Sequence, residues 1–267
     1  MDKGKIFRDL HASTFVIPNP WDVGTAKLLA SFGFKALATT SAGFAFSRGL
    51  ADGAVNFEMM IAHCRELVTA THLPVAADLE KGKGDSSEQA AETIFAAEAA
   101  GLAGCSIEDF SGDDDKPIYD FSHAVERVTA AVEAARSLKR DFVFTARAEN
   151  FLHGRTDIDD TIKRLQAFEK AGADVLYAPG ITDIGMVRTI CSAVTRPVNV
   201  LAVPDFTVSA LAEAGVKRIS LGSKLANYAF GALEKASREI IAEGSFAFSR
   251  DAMAYGRLQS MFAKPAK

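Results

Sequence analysis

The sequence predicts an α/β fold closed as a (β/α)8 barrel with extra C-terminal helices, on three observations. Eight short apolar runs alternate with segments of 3.6-residue periodicity, the runs are evenly spaced, and polar or charged residues stand at the carboxyl end of nearly every run. Parallel strands need crossovers of helix length, and a barrel gathers its chemistry at the carboxyl ends of its strands. An open doubly wound sheet would satisfy the alternation, but it does not call for even spacing with polar residues at nearly every strand end.

Met1 to His11 forms a short amphipathic helix in this reading, and Thr14 to Pro18 the first strand, ending in Asn19, Pro20 and Trp21. Asp22 is placed to start a helix that runs through Phe32. Phe34 to Thr40 is the second strand and runs into TTSAGFAFSRGLADG, expected to be a loop of small residues. Its backbone N–H groups suit a carboxylate or phosphate, though without other signals an ordinary turn is the preferred explanation. Phe57 to Thr71 has helical spacing. The third strand is the pivot of the chain: LPVAADLEKGKG, Leu73 to Gly84, is an apolar run that delivers Asp78 and Glu80 to a mouth, after which Gly82 and Gly84 let the chain turn away.

Ser86 or Ser87 caps the next helix, Glu88 to Ala100, which Gly101 ends. Strand four, AGCSIED from Ala103 to Asp109, finishes in Glu108 and Asp109. A polar loop from Phe110 to Lys116 leads to a helix from Phe121 to Leu138. Strand five, FVFTARAEN from Phe142 to Asn150, finishes in Arg147 and Glu149, and a helix follows from Ile158 to Ala171. Asp174 to Ala178, Pro197 to Leu201 and Val216 to Leu221 are strands six to eight. The tail, Gly231 to Lys267, holds two helical stretches broken near Gly244, more than a closing helix requires. The expectation is one domain over residues 1–267, with 231–267 packing on a neighbouring subunit.

Composition narrows the partners. A chain of 267 residues, 48% hydrophobic and 24% charged, has ample length for one large core, and a net charge of −4 offers no basic footprint for nucleic acid or anionic membranes. Cys64, Cys105 and Cys191 are far apart, without zinc spacing, and are expected to be reduced and mostly buried. The opening MDKGKIFRDLHAS lacks the apolar stretch of a signal peptide and no run has membrane length, so a cytoplasmic enzyme is expected.

Asp78, Glu80 and Glu108, if they share a mouth, cannot all stay ionised in a dry site without a cation. Mg2+ suits oxygen ligands and keeps waters; Mn2+ is the alternative. Arg147 from the next strand could fork a substrate carboxylate, or else pair with Glu108 or Glu149 in a purely structural layer. A metal that chelates a 2-oxo acid would stabilise the enolate formed when a neighbouring bond breaks. His153, Tyr177 and the Gly222, Ser223, Lys224 turn are secondary candidates, each with an equally good structural explanation; Cys105 suits the core.

NPWDVGTAKLLASFGFKALATTSAGFA, AADLEKGKG, AGLAGCSIED and FTARAEN, in this order and spacing, resemble the isocitrate lyase and phosphoenolpyruvate mutase superfamily from about Asn19 to Leu201. The resemblance implies a modified (β/α)8 barrel, a homo-oligomer (dimer or tetramer) that swaps its last helix between subunits, and Mg2+ holding a 2-oxo acid or its enolate. It implies Asp78 as the main metal-contacting acid, with Glu80 and Glu108 holding metal waters, and Arg147 as a substrate-binding arginine. Thr40, Ser41 and Ala42 match the loop that holds the substrate carboxylate, and Asp52 matches a further acid of that loop.

Lyases of the family carry a KKCGH or KRCGH lid soon after IED; here the stretch is FSGDDDKPIYD, without Cys or His. Near strand six, where His or Glu is frequent, this chain has YAPG and presents Pro179. The expectation is therefore C–C bond cleavage on a small 2-oxo or 2-hydroxy (di)carboxylic acid. Decarboxylation of an oxaloacetate-like acid asks least of the lid, since CO2 leaves without a base; retro-aldol cleavage would draw on Asp113 to Asp115, Tyr119 or Tyr177. Phosphonopyruvate-type P–C chemistry and a non-catalytic 2-oxo acid binding protein are the alternatives.

Overall fold

The computed structural model of the chain describes residues 2–263. Eight strands, β1 (Phe15–Ile17), β2 (Leu37–Ala38), β3 (Val75–Asp78), β4 (Gly104–Glu108), β5 (Val143–Arg147), β6 (Val175–Tyr177), β7 (Val198–Leu201) and β8 (Arg218–Ser220), pair in parallel in the order β1-β8-β7-β6-β5-β4-β3-β2. Ala38 N–H donates to the Pro18 carbonyl at 3.1 Å, so β2 meets β1 and the sheet is a nearly closed (β/α)8 barrel, as the spacing predicted.

The helices form where local chemistry starts and stops them. They are α1 (Lys3–Leu10), α2 (Val23–Ser31), α3 (Ser41–Ser47), α4 (Phe57–Ala70), α5 (Ser87–Ala99), α6 (Phe121–Ser137), α7 (Ile158–Ala171), α8 (Ile184–Ala193), α9 (Val208–Glu213), α10 (Lys224–Glu243) and α11 (Tyr255–Phe262). Asp22 and Thr25 form a capping box on α2, and Ser86 and Gln89 another on α5. Gly101 and Gly172 leave α5 and α7 with φ of 86° and 105°, a region that costs other residues steric strain.

Side chains on each strand alternate between the helical shell and the barrel interior. Inside, the N-terminal end is filled by Phe7 of α1 with Ile17, Ala36, Val143 and Val175. Arg8 fixes this plug: its Nε donates to Asp141 and its Nη1 to Asp174, each at 2.7 Å, and its Nη2 to the Phe142 carbonyl at 2.9 Å. A Cβ at Gly4 would overlap the Asp141 carbonyl, so α1 lies as close to the barrel floor as backbone allows. With the floor closed, the interior opens only toward the strand carboxyl ends.

Two expectations change. The TTSAGFAFSRGLADG stretch is not all loop: Ser41–Ser47 is helical because Thr40 caps it, its Oγ1 accepting from Gly43 N at 3.2 Å, and because alanine and phenylalanine do not resist helix once a cap is supplied. The helical extension does not begin at Gly231; that residue lies within α10, which starts at Lys224, and the break falls at Gly244, in the left-handed region. Beyond a short 3-10 turn over Ala247–Asp251, α11 returns to α2 of the same chain, where Ser31 Oγ meets Met261 Sδ at 3.8 Å. Residues 264–267, the end of the expected extension, lie outside the described residues. No helix among the described residues is long and apolar enough to cross a membrane.

Candidate active site

Register decides which side chains meet. Glu108, the last residue of β4, lies beside Arg147, the last of β5, and Arg147 lies beside Tyr177, the last of β6. Asp78 ends β3 and pairs in register with Ser106, two residues before Glu108, so three successive strands release charge at the same mouth, the convergence the strand-end residues predicted. Arg147 sits at its centre. Its Nη1 reaches Asp78 Oδ1 at 2.6 Å, its Nη2 lies 3.0 Å from Glu108 Oε2, and its Nε donates to Glu149 Oε1 at 2.8 Å. Every guanidinium nitrogen is committed to an acid of the chain, so Arg147 here is the hub of a carboxylate cluster and not a free fork for substrate.

Asp78 has a second set of donors. Ser41 Oγ donates to its Oδ2 at 2.9 Å and Ser41 N lies 3.4 Å from the same oxygen, while Asp78 N donates to Thr39 Oγ1 at 2.9 Å. Glu80 is held with φ of 49°, the one described non-glycine residue in the left-handed region, a conformation that costs about 1 kcal/mol or more and gathers at functional sites. Behind the cluster Asp109 Oδ1 accepts from Glu149 N at 2.8 Å and its Oδ2 pairs with Arg164 at 3.0 Å, which fixes the Glu149 backbone.

The electrostatics are unbalanced. Burial pushes the Glu108 carboxyl well above its ordinary range; Arg147 opposes that, while Glu149, Asp78 and Glu80 add to it. Burial, then Asp78 and Asp52, push the Glu80 carboxyl up to about 7 against the pull of Arg147 and Ser41. Asp52 is raised for the same reasons, burial first and Asp78 second. Arg147 stays firmly charged, since the pull of Glu149, Glu108 and Asp78 outweighs its burial. One guanidinium thus faces Asp52, Asp78, Glu80, Glu108 and Glu149.

Two adjoining cavities open here. The inner one, of about 210 Å3, descends into the barrel mouth and is lined by Thr40, Ser41, Ala42, Asp78, Arg147 and Tyr177 among others. The outer one, of about 550 Å3, lies at the rim against Glu80, Glu108, Phe110, Glu149 and His153. Ser41, Asp52 and Arg147 border both, so all eight residues expected at the site from the sequence line one or the other.

No three His, Cys, Asp or Glu side chains among the described residues form a ready-made metal cage. The donor set still fits Mg2+, which binds through one or two carboxylates and keeps waters, and the excess of acids over the single Arg147 is the imbalance that a cation would relieve.

Several secondary candidates are placed elsewhere. Tyr119 donates to Asp85 Oδ1 at 2.5 Å, and Asp113 to Lys116 are exposed on a small hairpin bridged by Phe110 and Ile118, so neither group borders the two cavities. In the Gly222 turn Leu221 N and Gly222 N are taken up by Asn19 Oδ1, at 2.8 and 3.0 Å, and Lys224 N donates to the Leu221 carbonyl at 3.2 Å. His153 reaches the rim but is stacked on Phe110, with centroids 3.9 Å apart. Cys105 is buried, and burial drives its thiol upward, as a core cysteine. Tyr177 and Pro179 do border the inner cavity. Sequence reasoning missed Asn19, Thr145, Asn199, Arg218 and Ser220, which also line it. Thr145, Asn199 and Arg218 lie two positions before strand ends, and period-two alternation would have revealed them as inward-facing.

With this geometry in hand, known proteins can be set beside it. The family model described as phosphoenolpyruvate phosphomutase matches residues 7–241. A protein of Burkholderia cenocepacia J2315 whose crystal structure is described as that of a "putative lyase/mutase" is 49% identical and superposes with a TM-score of 0.97 over 99% of this chain and 96% of that one. The 2-methylisocitrate lyase of Escherichia coli K12 is 32% identical over 232 residues, 80% of this chain and 76% of its own length. The structure of 2,3-dimethylmalate lyase is 25% identical with a TM-score of 0.86, covering 98% of this chain and 95% of that one. The chain belongs to the phosphoenolpyruvate mutase family and is an enzyme of the isocitrate lyase and phosphoenolpyruvate mutase superfamily.

Proposed function

We propose that the protein is a Mg2+-dependent carbon–carbon lyase acting on a small 2-oxo or 2-hydroxy (di)carboxylic acid through an enolate, with decarboxylation of an oxaloacetate-like acid the best fit. The observation that carries this reading is the cluster in which Asp78, Glu108 and Glu149 pair with one guanidinium, with Glu80 and Asp52 within its field, at the mouth of a cavity sized for a small acid. Asp78 would be the direct metal contact in this reading, and Glu80 and Glu108 would help hold the ion. Mg2+ in that place supplies Lewis-acid stabilisation to the developing enolate oxygen.

The remaining steps belong to the chain. Thr40, Ser41 and Ala42, on the wall at the start of α3, bind and orient the substrate carboxylate. Arg147 holds Asp78, Glu108 and Glu149 in place, one guanidinium nitrogen to each, and would be freed to bind substrate were a cation to share those acids. Tyr177 borders the cavity beside Arg147, whose guanidinium carbon lies 5.3 Å from its ring. Burial drives its phenol up to about 12 against the pull of Arg147 and Ser220, so it remains a neutral acid at working pH. Once CO2 has left, the Tyr177 O–H protonates the enolate carbon and recovers its proton from solvent. Decarboxylation needs no further group, which suits a lid without cysteine or histidine.

The extension belongs to the same proposal. Tyr228, Leu233, Ile241, Phe246 and Tyr255, on α10, α11 and the turn between them, are each more than half exposed. Such a concentration of large apolar side chains is the surface a second copy of the chain would cover in a homo-oligomer.

The test is turnover of oxaloacetate and malate-like acids with Mg2+, followed as CO2 or 2-oxo acid release. Activity lost on chelation and lowered at least about a hundredfold in Asp78→Asn is expected. Full activity in a chelator would refute the metal reading, and phosphate release from phosphonopyruvate alone would move the assignment to P–C chemistry.

A further inference from the structure

Below the carboxylate cluster the barrel holds a layer of opposite character. Thr145 lies two residues before Arg147 on β5, roughly 6–7 Å down the strand, and Asn199 and Arg218 lie two residues inside the ends of β7 and β8. Arg218 is 6% exposed and borders the inner cavity. Its Nε donates to Asn199 Oδ1 at 2.9 Å, its Nη2 to Thr145 Oγ1 at 3.0 Å, and its Nη1 lies 3.5 Å from His11 Nε2. Burial lowers its pKa to about 10, which still leaves it a cation at neutral pH.

All three partners are neutral. His11 is held unprotonated, its pKa driven down to about 3 by burial and then by Arg218 itself, and its Nδ1 is engaged with the Phe7 carbonyl at 2.9 Å. No carboxylate among the described residues lies within ion-pair distance of Arg218. Tyr177, the titratable neighbour that favours its charge, is itself a neutral phenol with its pKa pushed up to about 12 by burial.

A buried cation is costly unless negative charge faces it, and arginine does not escape by losing its proton near neutral pH. Arg127, also buried without an acid, shows how a structural arginine solves the problem: its Nη1 and Nη2 bind the carbonyls of Gly84, Ser86 and Lys81. Arg218 has no carbonyl partner, and a guanidinium with five N–H groups and three contacts keeps two to give. Its neighbours are donors too. Thr145 Oγ1 and Asn199 Oδ1 accept from Arg218, and Asn199 Nδ2 spends one proton on Ser220 Oγ at 2.9 Å, so the Thr145 O–H and a second Asn199 N–H also remain. A water would accept from this set but would bring no charge; a small anion brings both.

The geometry points to a binding site for a small inorganic anion of the halide class, chloride in particular, on the barrel floor between Arg218, Thr145 and Asn199. The donors come from β5, β7 and β8 and so surround a point, which suits a spherical ion. Apolar packing closes the floor, the Phe7 ring centroid lying 5.9 Å from the Arg218 guanidinium carbon. The ion takes no part in bond making or breaking. It neutralises Arg218 and ties three strands together, whatever acid the mouth binds, so the site is independent of the enolate reading.

The experiment follows thermal unfolding of metal-free protein in chloride, in bromide and in a bulky buffer sulfonate at equal ionic strength, for the wild type, Arg218→Lys and Arg218→Met. The wild type should gain at least ~2 °C in either halide over the sulfonate, and the gain should saturate with halide concentration, as it does for a ligand held by the folded state alone. Arg218→Met should lose the gain and Arg218→Lys keep part of it. Equal midpoints in halide and sulfonate for the wild type, or a gain that survives in Arg218→Met, overturns the proposal. Should the variants not fold, a wild-type crystal soaked in bromide decides by anomalous scattering: a peak against the Arg218 guanidinium supports the site, and peaks confined to the outer surface, or none, overturn it.

Discussion

Replacing Arg147 with methionine tests the cluster most severely. The Arg147 side chain is 12% exposed and faces Asp78, Glu108 and Glu149, whose side chains are 24%, 8% and 2% exposed. Methionine keeps the length and removes the charge, leaving two deeply buried carboxylates with no cation within reach. Breaking a buried ion pair from one side costs ~3–5 kcal/mol, because the survivor stays desolvated and unpaired. The metal-free variant should therefore lose ~4 kcal/mol at pH 8. The loss must depend on pH in a definite direction. Without Arg147 the Glu108 carboxyl loses the charge that opposes its burial and its folded-state pKa rises further above the unfolded value, so the folded state binds more protons and its stability falls as pH rises. Glu108 starts from an already raised position, which enlarges the effect. Urea unfolding of both proteins at pH 5.5 and pH 8, without metal, would show the deficit shrinking by at least ~1 kcal/mol at the lower pH, one pKa unit being worth about that much. A deficit below ~1 kcal/mol at pH 8, or one equal at both pH values, would refute the picture of a single guanidinium neutralising buried acids.

Other consequences follow from single contacts. Ser41→Ala removes the 2.9 Å hydrogen bond to Asp78 and should cost ~1 kcal/mol of stability while loosening oxalate binding severalfold, read by unfolding and calorimetry. His11 has its pKa depressed to about 3 against an unfolded value of 6.5, so it favours the folded state fully above pH 6.5 and that stability is lost as pH falls toward 3. Between pH 7 and 4, acid destabilisation of the wild type should therefore exceed that of His11→Gln by ~2 kcal/mol or more, measured as thermal or urea unfolding. Gly4→Ala drives a methyl into the Asp141 carbonyl and should destabilise the barrel floor by ~2 kcal/mol or more, with little change in ligand affinity at the mouth.

The parts of this protein visible in its sequence are those that depend on residue type at a strand end. Asp78, Glu108 and Arg147 announce themselves because a parallel barrel brings strand ends to one level, so placing charges on the chain nearly places them in space. What Arg147 does there was open in the sequence, since a fork for substrate and a clamp on acids call for the same residue; only distance shows three acids holding it. The α3 helix was hidden by its small residues, whose helix depends on Thr40 as cap. The Gly222 turn looked ready for an anion because nothing in the sequence shows that Asn19, some 200 positions away, fills it with its own amide oxygen. Arg218 was overlooked for a simpler reason: it lies two residues inside its strand, where alternation points it into the barrel, and attention to strand ends alone passes over that layer.

The most direct test of the central claim is a calorimetric titration with oxalate, a planar mimic of pyruvate enolate, with and without Mg2+, in the wild type and Glu108→Gln. Binding that requires Mg2+ and weakens at least about tenfold in Glu108→Gln is the result predicted by an enolate site built on Asp78, Glu80 and Glu108. Binding that is indifferent to Mg2+, or absent under both conditions, would contradict it and leave a family barrel whose acidic mouth serves some other end.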